Sequence, residues 1–354
     1  MKHVRLKALT IAAMTLYFPL SIIASCGSVL FYSSAPCTDI AEPSGDSLSS
    51  STVEGSKWLY QLQNADPKEI SGTEFDVLVI DYSRDGTESG RYSRGEMEML
   101  KTGVVDRQVL AYLSIGEAED YRYYFDSSWV SAITGQPGEK APCWLGRTNP
   151  DWKGNYKVQY WSEEWQSIVI NYLDKIIDDG FDGVYLDIID AYLYWSDPGN
   201  REGFTITEEE AALRMINLVK RIAYHARVTR GRGGFLVFPQ NGEAILQFDT
   251  GTGGLKADDY LNTINGIGSE DLYYNGTVSV KPESTQYRQS FLDMIKSASK
   301  KVLVVDYVDD GSQKKSNLER INSFRERAIG DGYYPYAALS NRALDRINVR
   351  PGQP

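Results

Sequence analysis

The side chains best suited to chemistry are carboxylates that stand where the sequence otherwise runs apolar. VLVID ends in Asp81 and is followed by Tyr82, VLAYLSIGE ends in Glu117, and GVYLDIID carries Asp187 and Asp190. FLVFPQN ends in Gln240 and Asn241 with Glu243 just beyond; GIGSED carries Glu270 and Asp271, and VLVVDY carries Asp306 and Tyr307. A carboxylate in a buried segment is costly unless it is paired or used. Several at the same end of successive apolar segments are hard to explain as packing. Paired carboxyls are the machinery of glycoside hydrolysis, one acting on the anomeric carbon and one on the leaving oxygen. That chemistry needs no metal, and no cofactor is expected. The chain has 2 His, too few for a His-based metal site. A cation-dependent hydrolase built on Asp85, Asp309 and Asp310 is a weaker reading, because their Asp-Gly turns lack the spacing of a calcium loop.

These residues must be held by a scaffold. Eight short apolar segments read as strands, over 58–63, 76–83, 107–117, 183–190, 235–241, 266–274, 301–309 and 333–339. Amphipathic runs such as SEEWQSIVINYLDKIIDDG and TEEEAALRMINLVKRIAYHARV separate them. Alternating strand and helix patterns mean a parallel sheet, and eight continuous apolar strands suit a (β/α)8 TIM barrel. No G-x-G-x-x-G follows the first strand, so a dinucleotide-binding sheet is not indicated. Side chains alternate along a strand. Tyr185 and Asp187 therefore share one direction, into the barrel and its mouth, and Leu186 and Ile188 share the other.

The segment 118–160 reads as one long loop. It carries Tyr121, Tyr123, Tyr124, Phe125, Trp129, Trp144, Trp152, Tyr156 and Tyr160, with Trp161 just after. Long loops in compact domains are usually functional, and on a barrel this one would overhang the C-terminal face. Aromatic planes there would stack on sugar rings; a satellite core under the loop is the competing reading.

The motifs SIGEAEDYRYY (114–124), GFDGVYLDIIDAY (180–192), PQNGE (239–243), GSEDLYY (268–274), VDY (305–307) and GYYPY (332–336) resemble glycoside hydrolase family 114. That family is typified by endo-α-1,4-polygalactosaminidases. The resemblance spans about residues 56–345. It implies a barrel that hydrolyses α-linked amino sugar polymers with retention of configuration, with Asp187 as nucleophile and Glu270 as acid/base. It further implies substrate or supporting contacts at Asp81, Glu117, Asn241 and Asp306. Tyr82, Tyr185, Asp190 and Tyr307 join that set of expected contacts by position. A non-catalytic carbohydrate-binding protein on the same scaffold would carry many of the same residues.

The N-terminus reads as an export signal. Lys2, Arg5 and Lys7 precede an apolar run, and Ile23-Ala24-Ser25-Cys26 resembles a bacterial lipobox, in which Cys26 takes the lipid. The expected organisation is a signal over 1–25, a Ser-rich tether over 26–55, the barrel over 56–345 and a short tail over 346–354. Cys37 and Cys143 would then either pair or stay as thiols. Without the leader's three cations, 34 basic side chains stand against 48 acidic ones, a net −14. Such a surface repels nucleic acid and tolerates cationic partners. A monomer acting on a polysaccharide, anchored to the cell envelope, is the expected form.

Overall fold

The computed structural model describes residues 57–200, 202, 205–248 and 257–348. The expected export signal and tether, with Cys26 and Cys37, lie outside them, so the expected lipidation and the Cys37–Cys143 pairing fall outside the described residues.

Strands in chain order are β1 (Trp58–Gln61), β2 (Val77–Asp81), β3 (Gln108–Ser114), β4 (Glu117–Glu119), β5 (Leu145–Thr148), β6 (Asn155–Val158) and β7 (Gly183–Asp187). They continue as β8 (Leu236–Pro239), β9 (Gly266–Glu270), β10 (Tyr274–Asn275), β11 (Val278–Ser279), β12 (Lys301–Asp309) and β13 (Tyr334–Leu339). Helices are α1 (Pro67–Ser71), α2 (Arg94–Leu100), α3 (Glu163–Asp179), α4 (Ala191–Ser196), α5 (Glu208–Tyr224), α6 (Ala257–Thr263), α7 (Pro282–Ser297) and α8 (Lys315–Gly330).

Parallel ladders run in the order β1-β2-β3-β7-β8 and β9-β12-β13. A parallel bridge from Gln240 to Gly268 joins the two sheets. Trp58 Nε1 donates to the carbonyl of Tyr334 at 2.8 Å, linking the last strand to the first. The fold is a (β/α)8 barrel whose eight parallel strands are the eight apolar segments of the sequence.

Local sequence explains the elements. In α3, Trp165, Val169, Tyr172, Leu173 and Ile176 are buried at helical spacing, giving one apolar stripe toward the sheet. The helix stops at Gly180, whose φ of 92° is the left-handed cap that glycine adopts without strain. Helix α5 starts at Thr207, whose side chain accepts from Glu210 N–H.

The barrel interior is aromatic. Tyr60 lies 5.9 Å from Trp58 and 5.4 Å from Tyr185 between ring centroids. Room for Tyr185 comes from β9, where a Cβ on Gly268 would sit 1.7 Å from the Tyr185 hydroxyl oxygen. Glycine is required there by close approach.

The long segment after β3 departs from expectation. It is not one loop: β4, β6 and β5 form an antiparallel sheet. Most of its aromatics pack on one another, with Trp144 5.1 Å from Trp165, Trp129 5.4 Å from Trp144, and Phe125 stacked 5.4 Å from Tyr156. Burying these rings is worth more than presenting them to solvent, and aromatic pairs gain further from edge-to-face geometry. Of the ten rings, Tyr121 and Trp152 are the exposed ones.

A buried guanidinium ties this excursion to the barrel. The Arg122 side chain is fully buried and donates to Glu119 at 2.6 Å and to Asp81 at 2.8 Å. Removing one partner from such a cluster leaves uncompensated charge and costs about 3–5 kcal/mol. Arg122→Ala is therefore expected to lower Tm by roughly 5–8 °C. A melting curve within about 1 °C of wild type would show that the cluster carries no such load.

Candidate active site

The C-terminal rim of the barrel opens into a cleft of about 750 Å³. Asp187 and Glu270 stand at its floor, at the last positions of β7 and β9. Strand parity aims them: Asp187 continues the inward row of Tyr185, and Glu270 continues the row of Gly266 and Gly268.

Each strand ends in a sharp turn. Ile188, Asn241 and Asp271 have φ of 61°, 57° and 51°. A β-branched residue at positive φ is a true outlier, and such positions cost about 1–3 kcal/mol each. Hydrogen bonds hold them: Ile188 N–H donates to Asp187 Oδ1 at 2.8 Å, Asn241 N–H to Gly268 O at 2.8 Å, and Asp271 N–H to Val305 O at 3.1 Å. The turn at Ile188 also brings its side chain to the cleft instead of the helix layer expected from alternation.

Each carboxyl has its own tyrosine. Tyr112 donates its hydroxyl to Asp187 Oδ2 at 2.6 Å, and Tyr307 donates to Glu270 Oε1. Asn241 Nδ2 donates to Glu270 Oε2 at 3.2 Å, while Glu270 N–H donates to Asn241 Oδ1 at 2.9 Å. Burial at the cleft floor pushes the Asp187 carboxyl well above the usual range; Glu270's charge adds to this, and the Tyr112 and Ile188 donors oppose it. Burial also raises Glu270, against hydrogen bonds from Tyr307 and Asn241 that favour its anion. Such a pair titrates as a unit.

A second basin of about 340 Å³ shares Asp190, Asn241 and Glu270 with the main cleft and is walled by Leu193 and Ala244. Asp190 stands on the ridge between the two. Arg342 closes one side, paired with Asp271 at 2.5 Å and lying 4.1 Å from the Tyr307 ring centroid.

The other expected contacts divide. Asp81 and Tyr307 line the cleft, although Asp81 is held by Arg122. Glu117 reaches the wall with its carboxylate already filled by Lys157, Asn149 and Asn155. Three expectations need correction. Tyr82 is fully buried on the helix side against Tyr172, because it has the opposite parity to Asp81. Tyr185 is fully buried within the barrel, below the floor. Asp306 is fully buried and accepts N–H from Leu272, Tyr273 and Tyr274, bracing the turn after β9.

Tyr112, Arg122, Arg288 and Arg342 went unpredicted. Tyr112 had a signal, since it shares strand parity with Ser114 in an apolar strand. Arg288 braces Glu243, the Glu270 carbonyl and Ser269 from α7, a placement that only the folded chain reveals. Among the described residues, no group of three or more His, Cys, Asp or Glu is arranged to hold a metal ion.

Paired carboxyls at the C-terminal rim of a parallel barrel define a barrel-type glycoside hydrolase. The chain belongs to glycoside hydrolase family GH114, whose model matches residues 41–353. An uncharacterized protein of Methanocaldococcus jannaschii is 44% identical over 292 residues, 82% of this chain and 78% of that protein. An uncharacterized protein of Thermotoga maritima is 44% identical over 296 residues, 83% of this chain and 84% of that protein. Among solved structures, the glycoside hydrolase domain of PelA from Pseudomonas aeruginosa aligns with a TM-score of 0.56 at 15% identity, covering 84% of this chain and 98% of that one. Ega3 of Aspergillus fumigatus, solved with galactosamine, aligns with a TM-score of 0.55 at 18% identity, covering 82% and 93%. These two likenesses establish a shared fold. Family membership makes the protein a glycosidase.

Proposed function

We propose that the protein is an exported, endo-acting glycosidase that cleaves an α-linked amino sugar polysaccharide with retention of configuration. The observation that carries this reading is the placement of Asp187 and Glu270 together on the floor of an open cleft, each fixed by its own tyrosine. Glu270, protonated, gives its proton to the leaving glycosidic oxygen as that bond breaks. Asp187, ionised, attacks the anomeric carbon and forms a glycosyl ester. Glu270, now a carboxylate, takes a proton from water, which adds to the anomeric carbon and frees Asp187.

Burial raises both carboxyls, so the resting pair favours holding a proton. The mechanism requires that proton on Glu270. A cationic sugar would favour the Asp187 anion and so the productive arrangement. The acidic balance of the protein and the galactosamine bound to Ega3 support an amine-bearing substrate. Export through the leader, with lipid on Cys26, completes the proposal; labelled palmitate missing from the full chain expressed in a bacterial host would refute the lipid.

Release of new reducing ends from a panel of polysaccharides, including de-N-acetylated galactosamine polymers, tests the activity. Hydrolysis of the amine-bearing polymer is expected. Tight glycan binding with no reducing ends from any polymer would make this a binding protein.

The two tyrosines give opposite limbs of the pH profile. Tyr307 stabilises the Glu270 anion, so Tyr307→Phe raises Glu270's pKa further. The acid then stays protonated to higher pH, and the basic limb of kcat/KM moves up. Tyr112→Phe likewise raises Asp187, which must be ionised, so the acidic limb moves up instead. Profiles in which both variants shift the same limb would contradict the assigned roles.

A further inference from the structure

The carboxylates along the two basins differ in what already satisfies them. Asp81 and Glu119 share Arg122. Glu117 is held by Lys157, Glu243 by Arg288, and Asp271 by Arg342. Asp85 is folded into its own turn, accepting from Ser83 and Thr87 hydroxyls at 3.1 and 2.7 Å. Asp187 and Glu270 have their tyrosines. That leaves Asp190.

Asp190 is exposed on the ridge between the basins and borders both. It occupies the N-cap position of α4, where an aspartate ordinarily turns its carboxylate onto first-turn N–H groups. Here it makes no such bond. Among the described residues, no ion pair or hydrogen bond from another residue engages its carboxylate, and its own backbone N–H is the donor that acts on it. Lys157, a cation that acts on it, is committed to Glu117 and lies 5.0 Å from the Tyr194 ring centroid. A cleft carboxylate that no other residue pairs is free to take its partner from a ligand. It also lies three residues beyond Asp187, at the start of α4, and its charge acts on the Asp187 carboxyl.

We propose that Asp190 is the specificity-determining residue that reads the substrate's free amine, pairing its carboxylate with the ammonium of a sugar unit lying across the ridge. This rests on the amino sugar reading above. An N-acetylated unit brings no positive charge and an added acyl group, so Asp190 would discriminate against it. Neutral sugars likewise leave it unpaired.

The test compares wild type, Asp190→Asn and Asp190→Ala on matched oligosaccharides, one fully de-N-acetylated and one fully N-acetylated. The isosteric Asn keeps the shape of the ridge, and a melting curve on each variant confirms folding. A charge-assisted pair of this kind is worth about 10–100-fold in affinity. Asp190→Asn and Asp190→Ala are expected to lower the preference for the amine-bearing oligomer by about that factor, mainly through KM, with kcat on that oligomer within about threefold of wild type. Wild type that prefers the amine, with variants that keep the same preference, overturns the role of Asp190 alone. Wild type that hydrolyses neither oligomer overturns the amino sugar reading and this assignment with it.

Discussion

Asp187→Asn is expected to lower kcat/KM by about 10⁴-fold while leaving the fold intact. The amide keeps the side chain's shape but cannot form the glycosyl ester. It also turns an NH₂ or a carbonyl toward the Tyr112 hydroxyl, which now donates to Oδ2 at 2.6 Å. Asp187→Ala separates this role from that of Glu270. In the space left by the carboxylate, azide can attack the anomeric carbon directly, and the product is a glycosyl azide of inverted configuration. Rescue with retained configuration would mean that another residue is the nucleophile. Retention of more than about a tenth of wild-type activity by the Asn variant would remove Asp187 from the reaction altogether.

Glu270→Gln is expected to cost about 10²–10⁴-fold on a natural glycoside, whose leaving oxygen needs a proton. Far less should be lost in the first step on a substrate whose leaving group departs unprotonated. The pH profile sharpens the test. An acid works only when protonated, so wild-type activity falls as pH rises through the Glu270 pKa. Burial holds that pKa above the ordinary glutamate range, so the fall comes at higher pH than an exposed glutamate would give. In the Gln variant that limb should vanish. Its persistence would place the acid elsewhere in the cleft.

The barrel was legible because its strands are buried on both faces and so read as unbroken apolar runs. Each of those eight runs is a strand of the fold. The meeting of Asp187 and Glu270 followed from strand ends and parity, which are local properties. Parity applied consistently would also have removed Tyr82, the neighbour of Asp81 on the opposite face. Local strain hid Ile188: its φ of 61° breaks the alternation and turns it into the cleft. The aromatic segment misled for a different reason. Composition cannot say whether rings face sugar or one another, and here Trp129, Trp144 and Trp165 bury one another. The arginines were invisible because their partners are distant in sequence, Arg122 with Asp81 across 41 positions and Arg342 with Asp271 across 71. A charge that completes a site from another element leaves no pattern around itself.

Asp187 is expected to form a covalent bond with the sugar while Glu270 handles the proton. A fluorinated amino sugar glycosyl fluoride slows the second step more than the first and lets the glycosyl–enzyme accumulate. Peptide mass spectrometry of the trapped protein then locates the sugar. One sugar is expected on the peptide containing Asp187, none in Asp187→Asn, and product of retained configuration from the untrapped reaction. A label on Glu270, or hydrolysis with inversion and no label at all, would contradict it.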